Sequence, residues 1–302
     1  MKRMLVTGAS GFLGSRIVDF FQEKYEIYAP RHQEMEITDE EKVMQVLEKY
    51  KPDIVIHCAA ISDVGQCEKE PEKSWKINVD GSINIARAAG KIQAKCILCS
   101  SDQVYFGSSV KEAHKEEETL QPCNVYGQEK LRAEQECLKV NPDCVLLRLS
   151  WMYDTKTMCD GEHGDFIKTL FLNIRNAEPL SYPVHDRRGI TDVNEVLQNL
   201  EKTFEIPGGV YNFGSPNDLD TYTTVGEAFK NAGLDAKNLQ KNELAFQSNP
   251  RNLSMCQEKA FNCGIVFSST VSGVSENLKG LLNDEGCCLP ASSAGEGTDD
   301  KR

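Results

Sequence analysis

Tyr126 and Lys130 stand four residues apart in Tyr-Gly-Gln-Glu-Lys, at the start of a helical pattern that runs to about Val140. At that spacing the phenol and the ammonium share one helix face. A cation held there favours the phenolate and draws the phenol's pKa toward neutrality, which makes Tyr126 a candidate general acid or base. A second segment with chemical capacity lies at the other end of the chain. Thr7-Gly8-Ala9-Ser10-Gly11-Phe12-Leu13-Gly14 follows a short apolar run and opens a helix over Phe12 to about Glu23. The first glycine suits a tight turn, the second lets backbone approach a pyrophosphate, and the third allows close helix packing. The helix N-terminus then offers free N–H groups and a positive dipole end to phosphate. Gly8, Ser10, Gly11, Phe12, Leu13 and Gly14 are therefore expected to hold a dinucleotide.

The type of dinucleotide is read just after the second apolar run. NAD sites usually place an Asp or Glu there for the ribose 2′-hydroxyl. Here the chain reads Ala29-Pro30-Arg31-His32-Gln33, with no carboxylate before Glu34. Arg31 suits a 2′-phosphate, whose oxygens match the guanidinium fork, so NADP(H) is expected over NAD(H). The plainer alternative for Arg31 is a solvated loop residue.

These groups need a scaffold, and the pattern supplies one. Met4–Val6, Glu26–Ala29, Ile54–Ile56, Cys96–Cys99 and Val145–Leu147 are short apolar runs separated by helical stretches. One such stretch, Glu72 to Ala89, spaces Trp75, Val79, Ile83 and Ala86 for a single helix face. Continuously apolar strands alternating with helices predict an α/β fold with a doubly wound parallel sheet covered on both faces. The carboxyl edge of such a sheet binds ligands, and Cys99-Ser100-Ser101-Asp102 ends the fourth run there. Residues 1–150 are expected to form the NADP(H)-binding Rossmann domain, with its last strands and helices contributed from about 178–206. Residues 151–284 read mainly as a smaller C-terminal substrate lobe, with helices near Phe166–Asn176, Val193–Phe204, Thr224–Ala232 and Val271–Leu282. Residues 285–302 are small and polar and read as a disordered tail.

Composition narrows the function classes. Lys and Arg number 34 against 46 Asp and Glu, a net charge of -12. That argues against a general nucleic-acid binder, which carries a basic stripe. No apolar run reaches the roughly 20 residues that cross a bilayer, so no membrane partner is expected. The opening Met-Lys-Arg-Met-Leu-Val-Thr reads as a first strand, not a signal peptide, and a cytoplasmic setting follows. The 12 cysteines are scattered, and the side chains of Cys96 and Cys99 face opposite sides of a strand. They read as reduced thiols used mostly as small core residues. The five histidines are too dispersed for a metal site.

Together Thr-Gly-x-x-Gly-x-x-Gly, the hydroxyl-bearing strand end and Tyr-x-x-x-Lys resemble the extended short-chain dehydrogenase/reductase superfamily. Within it the chain is similar to the dTDP-4-dehydrorhamnose reductase branch. The matching segments are His57-Cys58-Ala59-Ala60, Asn78-Val79-Asp80-Gly81, Ser100 to Gly107 and Leu147 to Tyr153. The likeness continues more weakly through Val184–Val193 and Pro250-Arg251-Asn252. It implies a reductase of a nucleotide-linked 4-keto-6-deoxy sugar. In such an enzyme Ser101 hydrogen-bonds the substrate carbonyl, Tyr126 gives that oxygen a proton as hydride arrives, and Lys130 holds the nicotinamide ribose. Cys58, Ala59 and Ala60 line the cofactor through their backbone. Trp151 lies beside the sugar, with a core or lobe-interface position as its alternative. Related dehydratases carry an Asp-Glu pair where this chain has Asp102-Gln103, and Gln cannot relay a proton, which argues against dehydration. Asp102 and Gln103 then belong to the substrate side, although Asp102 also suits a turn.

The substrate side departs from the reductases. Their Gln-x-Gly-x-Pro-Thr segment reads Asp186-Arg187-Arg188-Gly189-Ile190-Thr191, and their Asn-x-x-Leu-Asp reads Asn252 to Cys256. Arg187, Arg188 and Arg251 are candidates for gripping a nucleotide diphosphate, with solvated loop arginines as the alternative. Two other functions stay open: a sugar-nucleotide epimerase, and a nucleotide-binding regulatory protein resembling the beta subunit of methionine adenosyltransferase. Family members often dimerise, so a homodimer is one expected arrangement.

Overall fold

A computed structural model describes residues 1–156 and 165–283. The expected tail at 285–302, together with Cys159, Cys287 and Cys288, lies outside the described residues. The chain begins with β1 (Arg3–Thr7), α1 (Phe12–Phe21), β2 (Glu26–Tyr28), α2 (Glu40–Tyr50) and β3 (Ile54–His57). It continues through α3 (Val64–Lys69), α4 (Pro71–Trp75), α5 (Ser82–Lys91), β4 (Lys95–Ser101), α6 (Val125–Val140) and β5 (Val145–Leu149). Then follow β6 (Trp151–Tyr153), α7 (Phe166–Arg175), β7 (Leu180–Pro183), β8 (Asp186–Arg188), β9 (Ile190–Asp192) and α8 (Val193–Leu200). The last elements are β10 (Gly209–Phe213), α9 (Thr221–Ala232), β11 (Leu239–Asn242), β12 (Arg251–Leu253), α10 (Glu258–Phe261) and α11 (Thr270–Asn283).

Six strands pair in parallel in the order β10-β5-β4-β3-β1-β2. β3 and β5 are buried along their whole length. Their continuous apolar runs are what burial on both faces requires. One face carries Ile17, Phe21, Val196 and Leu200 from α1 and α8; the other carries Val43, Leu47, Ile85 and Cys137 from α2, α5 and α6. The expected doubly wound sheet is therefore present. Its order reverses between β1 and β3, which opens a crevice at their carboxyl ends. The remaining strands form three two-stranded parallel pairs, β6 with β9, β7 with β11 and β8 with β12. With α7, α9 and α11, strands β6, β7, β9 and β11 surround a second core of Phe166, Leu170, Phe229 and Leu278.

Two expectations change. The sheet's sixth strand comes from Gly209–Phe213, not from 178–206, whose contribution to this layer is α8. The helix expected over Glu72–Ala89 is broken by a π-helical turn at Lys76–Gly81. Such a turn inserts extra residues and shifts the facing register. Trp75 is rotated outward and left 41% exposed, while Val79 and Ala86 stay buried. The same turn buries Asn78, whose Nδ2 donates to Glu129 on α6 at 2.7 Å.

Buried polar groups tie the layers together. Glu134 on α6 accepts from Arg148 Nη2 at 2.7 Å and from Ser100 Oγ at 2.5 Å, joining α6 to β5 and β4. Removing one partner of such a pair leaves the other charge buried alone. Glu134→Ala is expected to cost about 3–5 kcal/mol in urea unfolding, and the double variant Glu134→Leu/Arg148→Met to regain most of that loss. On β3, His57 Nδ1 accepts from the Thr7 hydroxyl at 2.7 Å, and Nε2–H donates to Ser82 Oγ at 3.2 Å. This assignment follows from Ser82 Oγ donating onward to Asn78 O at 2.7 Å. Burial, then the Lys130 charge, push the His57 pKa down to about 3. The unfolded chain takes that proton near pH 6.5. The resulting stability is complete above pH 6.5 and is lost as pH falls toward 3, at up to about 1.4 kcal/mol per pH unit. Urea midpoints at neutral pH and in mild acid should converge in His57→Asn relative to wild type. Equal separation in both proteins would contradict this.

Candidate active site

Gly8 follows β1 with φ +67°, a left-handed conformation that favours glycine. A Cβ on Gly8 would lie 2.6 Å from Ala59 N, and one on Gly14 would lie 2.2 Å from Gly8 O. The turn is thus pressed between β3's exit and its own helix. Gly11 precedes α1 and makes no side-chain cap bond, so backbone N–H groups at this end face the adjoining cavity. A compact backbone cradle at a helix N-terminus fits a dinucleotide pyrophosphate.

Asn124 starts α6: its Oδ1 accepts from Gly127 N at 2.7 Å, and its Nδ2 donates to Gln103 Oε1 at 3.0 Å. The cap sets Tyr126 in the first turn and Lys130 in the next, both buried. Lys130 Nζ lies 5.6 Å from the Tyr126 ring centre and donates to Cys99 O at 2.9 Å. Ser101 closes β4; its Oγ accepts from Gln103 N at 3.2 Å and donates to Asp102 Oδ1 at 3.3 Å. Buried Asp102 also accepts from Arg188 Nη2 at 2.9 Å. The Arg188 guanidinium stands 5.2 Å from the Trp151 ring centre, and its buried Nε has no hydrogen-bond partner among the described residues.

The electrostatics correct one expectation. Burial pushes the Tyr126 pKa above the usual phenol range and Asp102 adds to the rise, while a hydrogen bond with Ser101 only partly opposes it. Lys130 turns its ammonium to a backbone carbonyl and does not draw the phenol down to neutrality. Burial lowers the pKa of Lys130 itself. Tyr126 is therefore held as a neutral phenol, which is the form that donates a proton. Burial also raises the Asp102 carboxyl, with Arg188 pulling the other way.

A cavity of about 570 Å³ gathers most of the expected residues. Gly8, Gly11, Phe12, Leu13, Gly14, Cys58 and Ala60 line its cofactor end, and Ser101, Asp102, Gln103, Tyr126, Lys130 and Trp151 line the rest. Gln103 uses its side-chain amide to support the α6 cap. Ala59 contributes backbone packed on Gly8 rather than a lining side chain. Ser10 and Arg31 are exposed and lie outside the lining. Arg187 and Arg251 line a separate cavity of about 520 Å³. There Arg251 is committed to Asp186 through two bonds of 2.7 and 2.9 Å, and Arg187 Nη1 donates to Lys111 O at 2.7 Å. Of the three arginines, Arg188 is the one that enters the main cavity. Cys99, Ser150 and Asp165 also line it and are not among the candidate site residues. Ser150 and Cys99 lie at or near the carboxyl ends of β5 and β4, a position that marks them as site residues once the sheet order is known.

The family model described as RmlD substrate binding domain matches residues 1–262. The dTDP-4-dehydrorhamnose reductase of Aggregatibacter actinomycetemcomitans is 31% identical over 227 residues, 72% of this chain and 74% of that protein. The methionine adenosyltransferase 2 subunit beta of Pongo abelii is 31% identical over 305 residues, 94% of this chain and 89% of that protein. A solved dTDP-4-dehydrorhamnose reductase from Bacillus anthracis, in complex with NADP, superposes with a TM-score of 0.79 at 26% identity, covering 91% of this chain and 97% of that one. By family match, relatives and fold together, the chain belongs to the RmlD substrate-binding-domain family of extended short-chain dehydrogenases/reductases.

Proposed function

We propose that the chain is an NADPH-dependent reductase of a nucleotide-linked 4-keto-6-deoxy sugar. The observation that carries this reading is the meeting of Ser101, Tyr126 and Lys130 with the glycine turn in one cavity. The NADP complex of the Bacillus anthracis relative supports the cofactor. Gly8, Gly11 and the first turn of α1 hold the pyrophosphate, and Arg31 meets the 2′-phosphate. Bound NADPH supplies hydride to the carbonyl carbon. Ser101 donates a hydrogen bond to the carbonyl oxygen, and Tyr126, neutral in this site, gives that oxygen its proton. Lys130 orients the ribose. Trp151, with Arg188 stacked on it, walls the sugar side, and Arg188 Nε is free to donate to a substrate oxygen. Arg187 and Arg251 border the neighbouring cavity, where the nucleotide diphosphate extends. Gln103 cannot relay a proton and is tied to Asn124, which supports reduction over dehydration. Nine free cysteines among the described residues fit a reducing, cytoplasmic setting.

A second reading, a nucleotide-binding regulatory subunit, is favoured by the near full-length match to methionine adenosyltransferase subunit beta. NADPH absorbance followed with dTDP-4-keto-6-deoxy sugars and their UDP and GDP analogues separates the readings. Reduction predicts NADPH loss, with kcat lowered about 10²–10⁴-fold in Tyr126→Phe. Turnover without NADPH consumption would indicate epimerisation, and tight NADPH binding without turnover would indicate the regulatory role. Arg31→Ala should weaken NADPH binding about tenfold to a hundredfold while leaving NADH binding nearly unchanged. Equal losses for the two cofactors would remove Arg31 from the site.

A further inference from the structure

Cys58 and Cys99 meet inside the cavity. Cys58 follows β3 and Cys99 lies in the adjacent strand β4, where His57 pairs with Leu98 one residue earlier. Their Sγ atoms are 3.6 Å apart. Both residues are partly accessible and both line the 570 Å³ cavity. Cys96 faces the opposite layer, so this pairing owes nothing to the Cys-x-x-Cys spacing. Neighbouring strands about 4.8 Å apart fall within the Cα separation that a disulfide spans. Closing the bond requires the sulfurs to approach by about 1.5 Å, within side-chain rotation and a small strand adjustment.

We infer that Cys58 and Cys99 form an oxidisable dithiol in the floor of the cavity, which a hydroperoxide converts to a disulfide. This goes beyond the reductase reading and does not depend on it. The hydrogen bond from Cys58 and then the nearby Lys130 charge favour the Cys99 thiolate, making it the attacking sulfur. It attacks one oxygen of hydrogen peroxide, breaking the O–O bond and forming a sulfenic acid, while the hydroxide that leaves takes up the proton the Cys99 thiol has released and becomes water. The Cys58 sulfur then attacks the sulfenic sulfur, and the departing hydroxyl takes the second thiol proton as another water. In sum, two thiols lose two electrons and two protons and one hydroperoxide is reduced. Cys58 backbone abuts Gly8, and the Cys99 carbonyl holds Lys130, so the bond draws on both the phosphate turn and the catalytic helix.

The test treats the full chain with hydrogen peroxide, blocks remaining thiols, and maps peptides before and after dithiothreitol. A Cys58–Cys99 peptide that appears with peroxide and disappears with dithiothreitol supports the inference. Peroxide damage confined to sulfinic or sulfonic acid, or crosslinks among other cysteines, overturns it. Cys58→Ser and Cys99→Ser should each abolish the linked peptide, whereas Cys123→Ser should not. If either site variant fails to fold, as judged by its thermal melt, the wild-type peptide map decides alone. NADP+ at about 100 times its Kd should slow bond formation about a hundredfold, because only the free site reacts. An unchanged rate with NADP+ demonstrably bound would overturn placement of the pair in the cofactor cavity. The mapped bond in a protein that shows no NADPH binding would support the dithiol and count against the cofactor reading.

Discussion

The space between Gly8, Gly14 and Ala59 governs the rest of this structure. Three backbone segments, the exit of β1, the start of α1 and the exit of β3, approach so closely that a single methyl at either glycine would overlap main-chain atoms. Main chain cannot yield as a flexible side chain can, so the contact fixes the relative height of β1 and β3 and the angle at which α1 leaves the sheet. The floor of the cavity, including Cys58, takes its position from this contact. So does the direction in which free N–H groups point.

On the opposite wall, position is set by polar groups. Arg148 on β5 holds α6 through Glu134 from the sheet side, Asn78 in the π turn holds it through Glu129 from the neighbouring helices, and Asn124 fixes its first turn. These bonds lie in the interior, where an unmatched donor or acceptor costs more than a matched one gains. The result is a stiff helix presenting Tyr126 and Lys130 at defined heights. Burial then keeps the phenol protonated. The -12 charge of the chain disfavours anionic ligands at long range, so binding has to rely on the local dipole of α1 and on a few arginines.

Much of this is legible in the sequence, and for a common reason. Interior strands announce themselves through unbroken apolar runs such as Ile54–Ile56, and the glycine turn because only glycine tolerates that crowding. Tyr126 and Lys130 are found by spacing, but their ionisation is not, since it depends on burial and on where Lys130 finds its hydrogen bond. Trp75 misleads because a π turn changes the residues per turn without altering composition. The arginines of β8 could not be ranked: adjacent strand residues face opposite sides, and only the packing of the lobe decides that Arg188, not Arg187, enters the cavity. The contact of Cys58 with Cys99 joins residues 41 positions apart and depends on β3 lying beside β4.

The late arrival of β10 has a mechanical side. The chain leaves the sheet after Leu149, builds β6 to β9, and re-enters at Gly209 to pair with β5, the strand it had left. It departs again through α9 and sends Ala260, Ile265 and Phe267 back into the core on the α1 and α8 face of the sheet. The smaller lobe is therefore stitched to the larger by repeated crossings and does not hang from one hinge. Cutting any one connection would leave the others in place. Relative movement of the halves is restricted to short sliding or rocking about the shared seam, so the width of the cleft between them is limited by chain connectivity as well as by side-chain packing.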